Sequence, residues 1–342
     1  MTIDLRSDTV TRPGRAMREA MMDALVGDVC FEDDPTVHKL EALAAERAGK
    51  EAAIFVPTGS MANQIGIALH LRPGDAILLD ARAHIACWES GAGAAYVGAQ
   101  LVPVATADGL PTCEAFEAAR FPDHPKAPRV RLVALENTHN AAGGSAHSPD
   151  ALGERAGWAH AEGLRVHLDG ARIFNATAVH GAALVDFAKH VDTMSFCLSK
   201  GLGAPVGSML VGSAETIAEA NRIRHRLGGG WRQAGMLAAA GIYALEHHVA
   251  RLVEDHRHAK AISGALAETG IAKASHPVVT NIIYFDIDPN WGTAADFRDL
   301  LARHDVHFFA LGPQRCRIVT HLDVSSAQVD QTIQTLRTLD RG

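Results

Sequence analysis

Thr193-Met194-Ser195-Phe196-Cys197-Leu198-Ser199-Lys200-Gly201-Leu202-Gly203 is an apolar strand that runs into a lysine held between a serine and glycines. Open α/β sheets bind ligands outside the carboxyl ends of their strands, and Lys200 falls at such an end. The segments Ala52–Val56, Ala76–Leu79, Leu101–Val104, Val130–Glu136 and Arg165–Asp169 upstream, and Gly207–Val211 downstream, have the same short, buried-strand character. Helical patterns fall between several of them, notably at Ser60–Leu71 and Pro149–Gly163. This alternation predicts an α/β fold whose mostly parallel sheet is flanked by helices on both faces.

Ahead of the sheet, residues 1–12 read as an extended arm. A first helix follows, with Ala16, Met17, Ala20, Met21, Ala24 and Leu25 on one face and Gly27 as its stop. Asp34-Pro35 opens a second helix as N-cap and first-turn proline, and Gly49 ends it. Near residue 245 the rhythm changes. A long helical stretch over Trp231–Thr269 leads to Ile282–Phe285, helix Ala294–Arg303, Val306–Phe309, Cys316–Thr320 and a last helix from Ser325. The expected organisation is an arm and large domain over 1–245 and a smaller α+β domain over 246–342.

The 342 residues are 47% hydrophobic and 21% charged, an ordinary globular composition that excludes collagen, coiled coil and long disorder. No apolar run approaches the roughly 18 residues of a membrane span. A net charge of −7 gives no basic face for nucleic acid or acidic membranes. Cys30, Cys87, Cys113, Cys197 and Cys316 are odd in number and scattered, with no C-x-x-C, so single thiols in a cytoplasmic protein are expected. The 19 histidines form no H-E-x-x-H pattern, and no metal site is read from the sequence.

Three segments can carry chemistry. Lys200, partly desolvated at its strand end, can form a Schiff base with a carbonyl cofactor, although a surface lysine in a turn has the same local pattern. Asp169, in His167-Leu168-Asp169-Gly170-Ala171-Arg172, ends a buried strand where aspartate is disfavoured. It reads either as a helix cap or as the carboxylate that keeps a cofactor's pyridine nitrogen protonated. Pro57-Thr58-Gly59-Ser60-Met61-Ala62-Asn63 is a small hydroxyl-bearing turn that opens a helix, a place where backbone N–H groups favour a phosphate, although many helices begin this way. Gly91-Ala92-Gly93 lacks the strand and third glycine that a dinucleotide site needs. The three segments run in order, each after a predicted strand, so they can meet at one sheet edge.

That pattern resembles the L-threonine aldolase family, low-specificity and allo-type, among the fold-type-I pyridoxal phosphate enzymes. The resemblance covers nearly the whole chain. Its strings are Asp4-Leu5-Arg6-Ser7-Asp8-Thr9-Val10-Thr11, Glu32-Asp33-Asp34-Pro35-Thr36-Val37, Glu136-Asn137-Thr138-His139-Asn140, His167–Arg172, Ser195–Gly203, Gly228–Gly235 and Arg317-Ile318-Val319-Thr320-His321. It implies pyridoxal 5'-phosphate bonded to Lys200, with Asp169 on the pyridine nitrogen and Thr58, Gly59 and Ser60 on the phosphate. Arg172 is included among the cofactor-site residues. His84 would stack on the ring, and Ser7, Arg172 and Arg317 would hold the substrate carboxylate. His139 and His84 are the candidates for the β-hydroxyl proton, with His139 the preferred base.

The resemblance further implies cleavage of the Cα–Cβ bond of L-threonine or L-allo-threonine to glycine and an aldehyde, in a cytoplasmic homotetramer of tight dimers with shared sites. The chain departs from the family pattern at Phe31, His225, Trp88 and Trp231. Trp88 and the 19 histidines keep open another lyase reaction on a β-hydroxy amino acid: phenylserine or β-hydroxyaspartate cleavage, or β-elimination. A non-catalytic cofactor carrier is the alternative of another class. It would not need Ser7, Arg172 and Arg317 together.

Overall fold

The computed structural model describes residues 2–339. Met1, the first residue of the expected arm, and residues 340–342, the last of the expected small domain, lie outside the described residues. The strands are β1 (Ile3–Asp4), β2 (Ala52–Val56), β3 (Ala76–Asp80), β4 (Gln100–Val104), β5 (Val130–Glu136), β6 (Arg165–Asp169), β7 (Thr193–Cys197) and β8 (Ser208–Gly212). They continue with β9 (Ala272–Ala274), β10 (Ile282–Ile287), β11 (Val306–His307), β12 (Phe309–Ala310) and β13 (Arg315–Val319).

Seven of them form the main sheet in the order β2-β8-β7-β6-β5-β3-β4. β8 is antiparallel to both neighbours, and the remaining pairs are parallel. Glu136 pairs with Asp169, and Asp169 with Ser195. The carboxyl ends of β5, β6 and β7 are therefore level, and the loops beyond them share one edge. Both faces of the sheet are covered, as its apolar strands require. Leu78, Val133, Leu168 and Phe196 belong to one core and Ile77, Leu79, Leu132 and Ala134 to another.

The second helix forms as its sequence dictates. Asp34 accepts from the N–H groups of Thr36 and Val37, Pro35 occupies the first turn, and Gly49 ends the helix in the left-handed region at φ 61°. The first helix is shorter than its apolar face suggests and stops at Met22. The Leu25 carbonyl instead receives the Thr36 hydroxyl at 2.6 Å, which turns the chain toward the second helix. The stretch over Trp231–Thr269 is two helices, Gly235–His247 and Leu252–Glu268. His248, between them, is drawn to the Leu202 carbonyl at 2.7 Å.

A second sheet, β12-β13-β10-β9, is antiparallel. β1 pairs in parallel with β11, and Ile3 and Leu5 are buried with Phe285, Phe297 and Ile318. The start of the arm thus packs with the C-terminal unit, and its continuation crosses to the main sheet. Thr11 donates its hydroxyl to the Lys200 carbonyl at 2.9 Å.

Candidate active site

A cavity of about 350 Å³ opens at the carboxyl edge of the main sheet, lined among others by Thr58, Ser60, Asn63, His84, Asp169 and Lys200. A larger one, about 870 Å³, lies at the opposite edge among Lys50, Glu51, His70, Asp192 and Glu215 and contains none of the predicted residues. The smaller cavity is the site, because it joins the segments that the sequence singles out.

At one end of it lies the N-terminus of helix Gly59–Ala68. Thr58 caps that helix through its Oγ1, which accepts from the Met61 N–H at 3.1 Å. A Cβ at Gly59 would stand 2.7 Å from Cys197 Sγ, so only glycine lets the turn pack against the end of β7.

At the other end, Asp169 is buried and held in a fixed orientation. Oδ1 accepts from the Ala171 N–H at 3.0 Å and Oδ2 from Asn63 Nδ2 at 2.8 Å. Burial alone would raise its pKa, but His84, Lys200 and these hydrogen bonds hold it below the ordinary carboxylate value. Asp169 is therefore not a simple cap. It is an ionised acceptor facing a cavity.

His84 lies between Asp169 and Glu89. Its Nδ1 is 2.8 Å from Glu89 Oε1, and its backbone N–H donates to Glu136 Oε2 at 2.6 Å. Burial opposes protonation of the ring, yet Glu89 and Asp169 outweigh it and raise the pKa. With Nδ1 turned to a carboxylate, Nε2 is the free nitrogen. His84, Glu89 and Asp169 offer ligand atoms within 4.8 Å of one another. Asn63 Nδ2 donates to Glu89 and Asp169 together, so protein donors already hold this cluster.

His139, the preferred base on sequence grounds, does not line this cavity. It is fully buried, Nδ1 accepts from the Ala142 N–H at 3.2 Å, and Nε2 lies 3.1 Å from Asp80 Oδ1. The ring braces the turn after β5 and has no lone pair free for substrate. Arg172 is likewise committed. Its Nε and Nη2 donate to the two oxygens of Asp8, each at 2.7 Å, and both residues are buried. The pair fastens the arm to the sheet and takes up the Nε–Nη2 edge of the guanidinium.

The other two carboxylate candidates are, like His139 and Arg172, outside the cavity lining, but they are less committed. Ser7 Oγ accepts from the Thr9 N–H and hydroxyl, which leaves its own hydrogen available. Arg317 sits 5.6 Å over the Phe309 ring, donates to the Arg6 carbonyl at 3.3 Å, and keeps a buried Nε without a partner. Among the positions that depart from the family pattern, Phe31 and Trp88 are largely exposed, whereas Trp231 stacks on Phe55 at 5.2 Å.

Asn63, Glu89 and Asp8 are the site residues that sequence reasoning missed. Asn63 left one signal, an amide pair with Gln64 in an otherwise apolar helix, at the close of the hydroxyl-bearing segment. Glu89 and Asp8 acquire meaning only from partners distant in sequence.

The sheet order, the helix covering and the strand-end lysine define the fold-type-I class of pyridoxal phosphate enzymes. Two solved structures share that fold. They are a threonine aldolase from Leishmania major (TM-score 0.86, 19% identity, 98% of each chain covered) and a putative L-allo-threonine aldolase from Listeria monocytogenes (TM-score 0.78, 20% identity, 96% of each chain). The model of the beta-eliminating lyase family matches residues 4–288. A low specificity L-threonine aldolase of Escherichia coli K12 is 43% identical over 328 residues, 96% of each chain. A low-specificity L-threonine aldolase of Arabidopsis thaliana is 40% identical over 97% of this chain and 94% of that one. The chain belongs to the beta-eliminating lyase family and, within it, to the L-threonine aldolase family.

Proposed function

We propose that the chain is a pyridoxal-phosphate-dependent carbon–carbon lyase. It cleaves the Cα–Cβ bond of L-threonine, L-allo-threonine and related β-hydroxy-α-amino acids to glycine and an aldehyde, reversibly. The observation that carries this reading is the meeting of Lys200, the ionised Asp169 and the Thr58-capped helix N-terminus in one cavity.

The residues fit the cofactor. Lys200 offers the amine that bonds its aldehyde, Asp169 the carboxylate for a protonated ring nitrogen, and Thr58, Gly59 and Ser60 the donors for its phosphate. When bound, pyridoxal phosphate supplies an electron sink conjugated to the substrate's Cα.

The chain's own residues do the rest. Asp169, fixed by Ala171 and Asn63, stays charged and opposes loss of the ring-nitrogen proton. His84 takes the β-hydroxyl proton at Nε2, while Glu89 holds Nδ1 and favours the imidazolium that forms. Arg317 and the Ser7 hydroxyl would hold the substrate carboxylate and so fix the orientation of the substrate's Cα bonds. Arg172 supports them indirectly by holding Asp8, and with it the arm that carries Ser7.

Largely exposed Met22, Leu25, Phe31, Trp88 and Tyr96 support self-association, in keeping with a cytoplasmic homotetramer whose sites are shared between chains. No helix among the described residues is long and apolar enough to cross a membrane.

A panel of L-threonine, L-allo-threonine, D-threonine, L-phenylserine and β-hydroxyaspartate, scored for glycine and for keto acid, tests the reading. Glycine with acetaldehyde from the two L-threonine diastereomers supports it. Keto acid with ammonia as the main products would replace it with β-elimination.

A further inference from the structure

Behind Asp169 a row of buried polar side chains crosses the main sheet from one edge to the other. His167 and Asp169 share a face of β6, and Thr193 and Ser195 stand beside them on β7 in direct register. Helix Gly59–Ala68 lies over that face. It presents Asn63 and Gly66, and His70 follows just past its end. A Cβ at Gly66 would stand 2.4 Å from His167 Cε1, so the helix can lie over this imidazole only with glycine there.

Five contacts link the row. His70 Nε2 is 3.1 Å from Thr193 Oγ1, and Thr193 Oγ1 is 2.9 Å from His167 Nδ1. His167 Nε2 is 3.2 Å from Asn63 Oδ1, and Asn63 Nδ2 reaches Asp169 Oδ2 and Glu89 Oε1, each at 2.8 Å.

Hydrogen-bonding chemistry fixes the direction of every link. An ionised carboxylate only accepts, so Asn63 must turn its NH2 to Asp169 and Glu89 and its carbonyl oxygen the other way. That oxygen receives the Ser195 hydroxyl at 2.7 Å and needs a proton on His167 Nε2. A neutral His167 then accepts at Nδ1, and Thr193 must donate there. Thr193 has a single hydrogen, so His70 donates to it from Nε2. The outer end, His70, borders the large polar cavity at the opposite edge.

We propose that His70, Thr193, His167 and Asn63 form a one-way hydrogen-bond relay that positions Asp169, and with it the Glu89–His84 pair, from the far edge of the sheet. These are positioning residues. None of the first three lines the active-site cavity. Both imidazoles are suited to the task because burial pushes them down to about 4, against the pull of Asp192 on His70 and of Asp169 on His167. The other charges acting on them are Arg165, which lowers His70, and His70 itself, which lowers His167. A relay of neutral groups transmits orientation and adds no competing charge next to Asp169. The role of the relay in catalysis rests on the reading of Asp169 given above, but its direction does not.

The test uses the full chain labelled with ¹⁵N at histidine and prepared with and without pyridoxal phosphate. Long-range ¹H–¹⁵N spectra of the cofactor-free chain should show His70 and His167 neutral and protonated at Nε2 from about pH 6 to 8. A proton on His167 Nδ1, or a charged ring in that range, would reverse the relay and overturn the proposal. Thr193→Val cuts the middle link at nearly constant volume, and Thr193→Ser restores the hydroxyl. The valine variant should lose the single His70 tautomer, keep His167 protonated at Nε2 against Asn63, and bind pyridoxal phosphate about three- to ten-fold more weakly, the usual effect of one hydrogen bond, and the serine variant should recover the His70 tautomer and the affinity. A folded valine variant with wild-type affinity would remove the positioning role. If no variant binds the cofactor and the wild type does not either, the functional reading fails while the tautomers still decide the relay.

Discussion

Two groups of candidate site residues are built differently. The ring-nitrogen end is assembled from neighbouring strands and one covering helix. Asp169, Asn63, Glu89 and His84 are bonded to one another without help from any ligand. The residues proposed for the substrate carboxylate come from three distant segments outside the cavity lining, the arm at Ser7, the turn after β6 at Arg172 and the small sheet at Arg317. One of these arginines is locked to Asp8, and the other is held by one 3.3 Å hydrogen bond and the Phe309 ring. Groups that must keep a charge buried are preorganised, and groups that must meet a mobile substrate are kept loose. Rigid electrostatics stabilise a developing charge without reorganisation, and a binding arm that closes on substrate does not need that rigidity.

The contrast is broken most sharply at the histidines. His84→Asn should cut kcat by roughly a hundred- to ten-thousand-fold, the range for loss of a general base. His139→Asn should leave kcat within about three-fold and lower stability by about 1–3 kcal/mol, the cost of buried polar groups left unpaired. Stopped-flow assay and urea titration of the two variants check this. Because the His84 pKa is raised, the acid limb of kcat/KM should lie above the ordinary imidazole value of about 6.5 and stay in place in His139→Asn. A limb that disappears in His139→Asn would return the base to that residue.

Asp169→Asn comes next. It keeps the shape and removes the charge, and kcat should fall roughly a hundred- to a thousand-fold while the cofactor still binds. Near-normal turnover would reduce Asp169 to a cap. At the loose end the effects should be smaller. Arg317→Lys trades a planar fork for a point charge and should raise KM and lower kcat together, by about ten-fold in kcat/KM. A change in melting temperature alone would make Arg317 structural.

The smallest effect is spread over the rigid end and its surroundings. His70, His167 and His256 are each pushed down to about 4 by burial. Between pH 6.5 and 4 the unfolded chain binds protons that the folded chain refuses, so their contribution is complete above about 6.5 and declines as pH falls to 4. The raised His84 and His139 act oppositely, contributing fully below about 6.5 and losing that contribution as pH rises through their folded values. Asp8 and Asp169, held low, keep their contribution until pH falls below the ordinary carboxylate value. The urea midpoint should therefore drop from pH 6.5 to 4. A His167→Phe variant should show a shallower drop than the wild type.

The same contrast explains what could be read in the sequence. Val130–Glu136, Arg165–Asp169 and Thr193–Cys197 were legible to the residue because a buried parallel strand is a continuous apolar run bounded by turns. The Asp34-Pro35 helix start was legible because its cap is local. Lys200, Asp169 and Thr58 could be placed at one edge because each follows such a strand. The helix after Arg15 was read too long, since the contact that turns Leu25 away comes from Thr36 on the next helix. Asn63 and Glu89 stayed hidden because their partners are spread from the first sheet crossing to β6. The surroundings of His139 were hidden for the same reason. Its sequence neighbours place it near the site, but its ring faces Asp80 on another strand.

Borohydride reduction of the purified, yellow holoenzyme, followed by peptide mass mapping, tests the central claim most directly. The account predicts one phosphopyridoxyl adduct, on the peptide containing Lys200. An adduct on another lysine, or a protein that carries no pyridoxal phosphate, would contradict it.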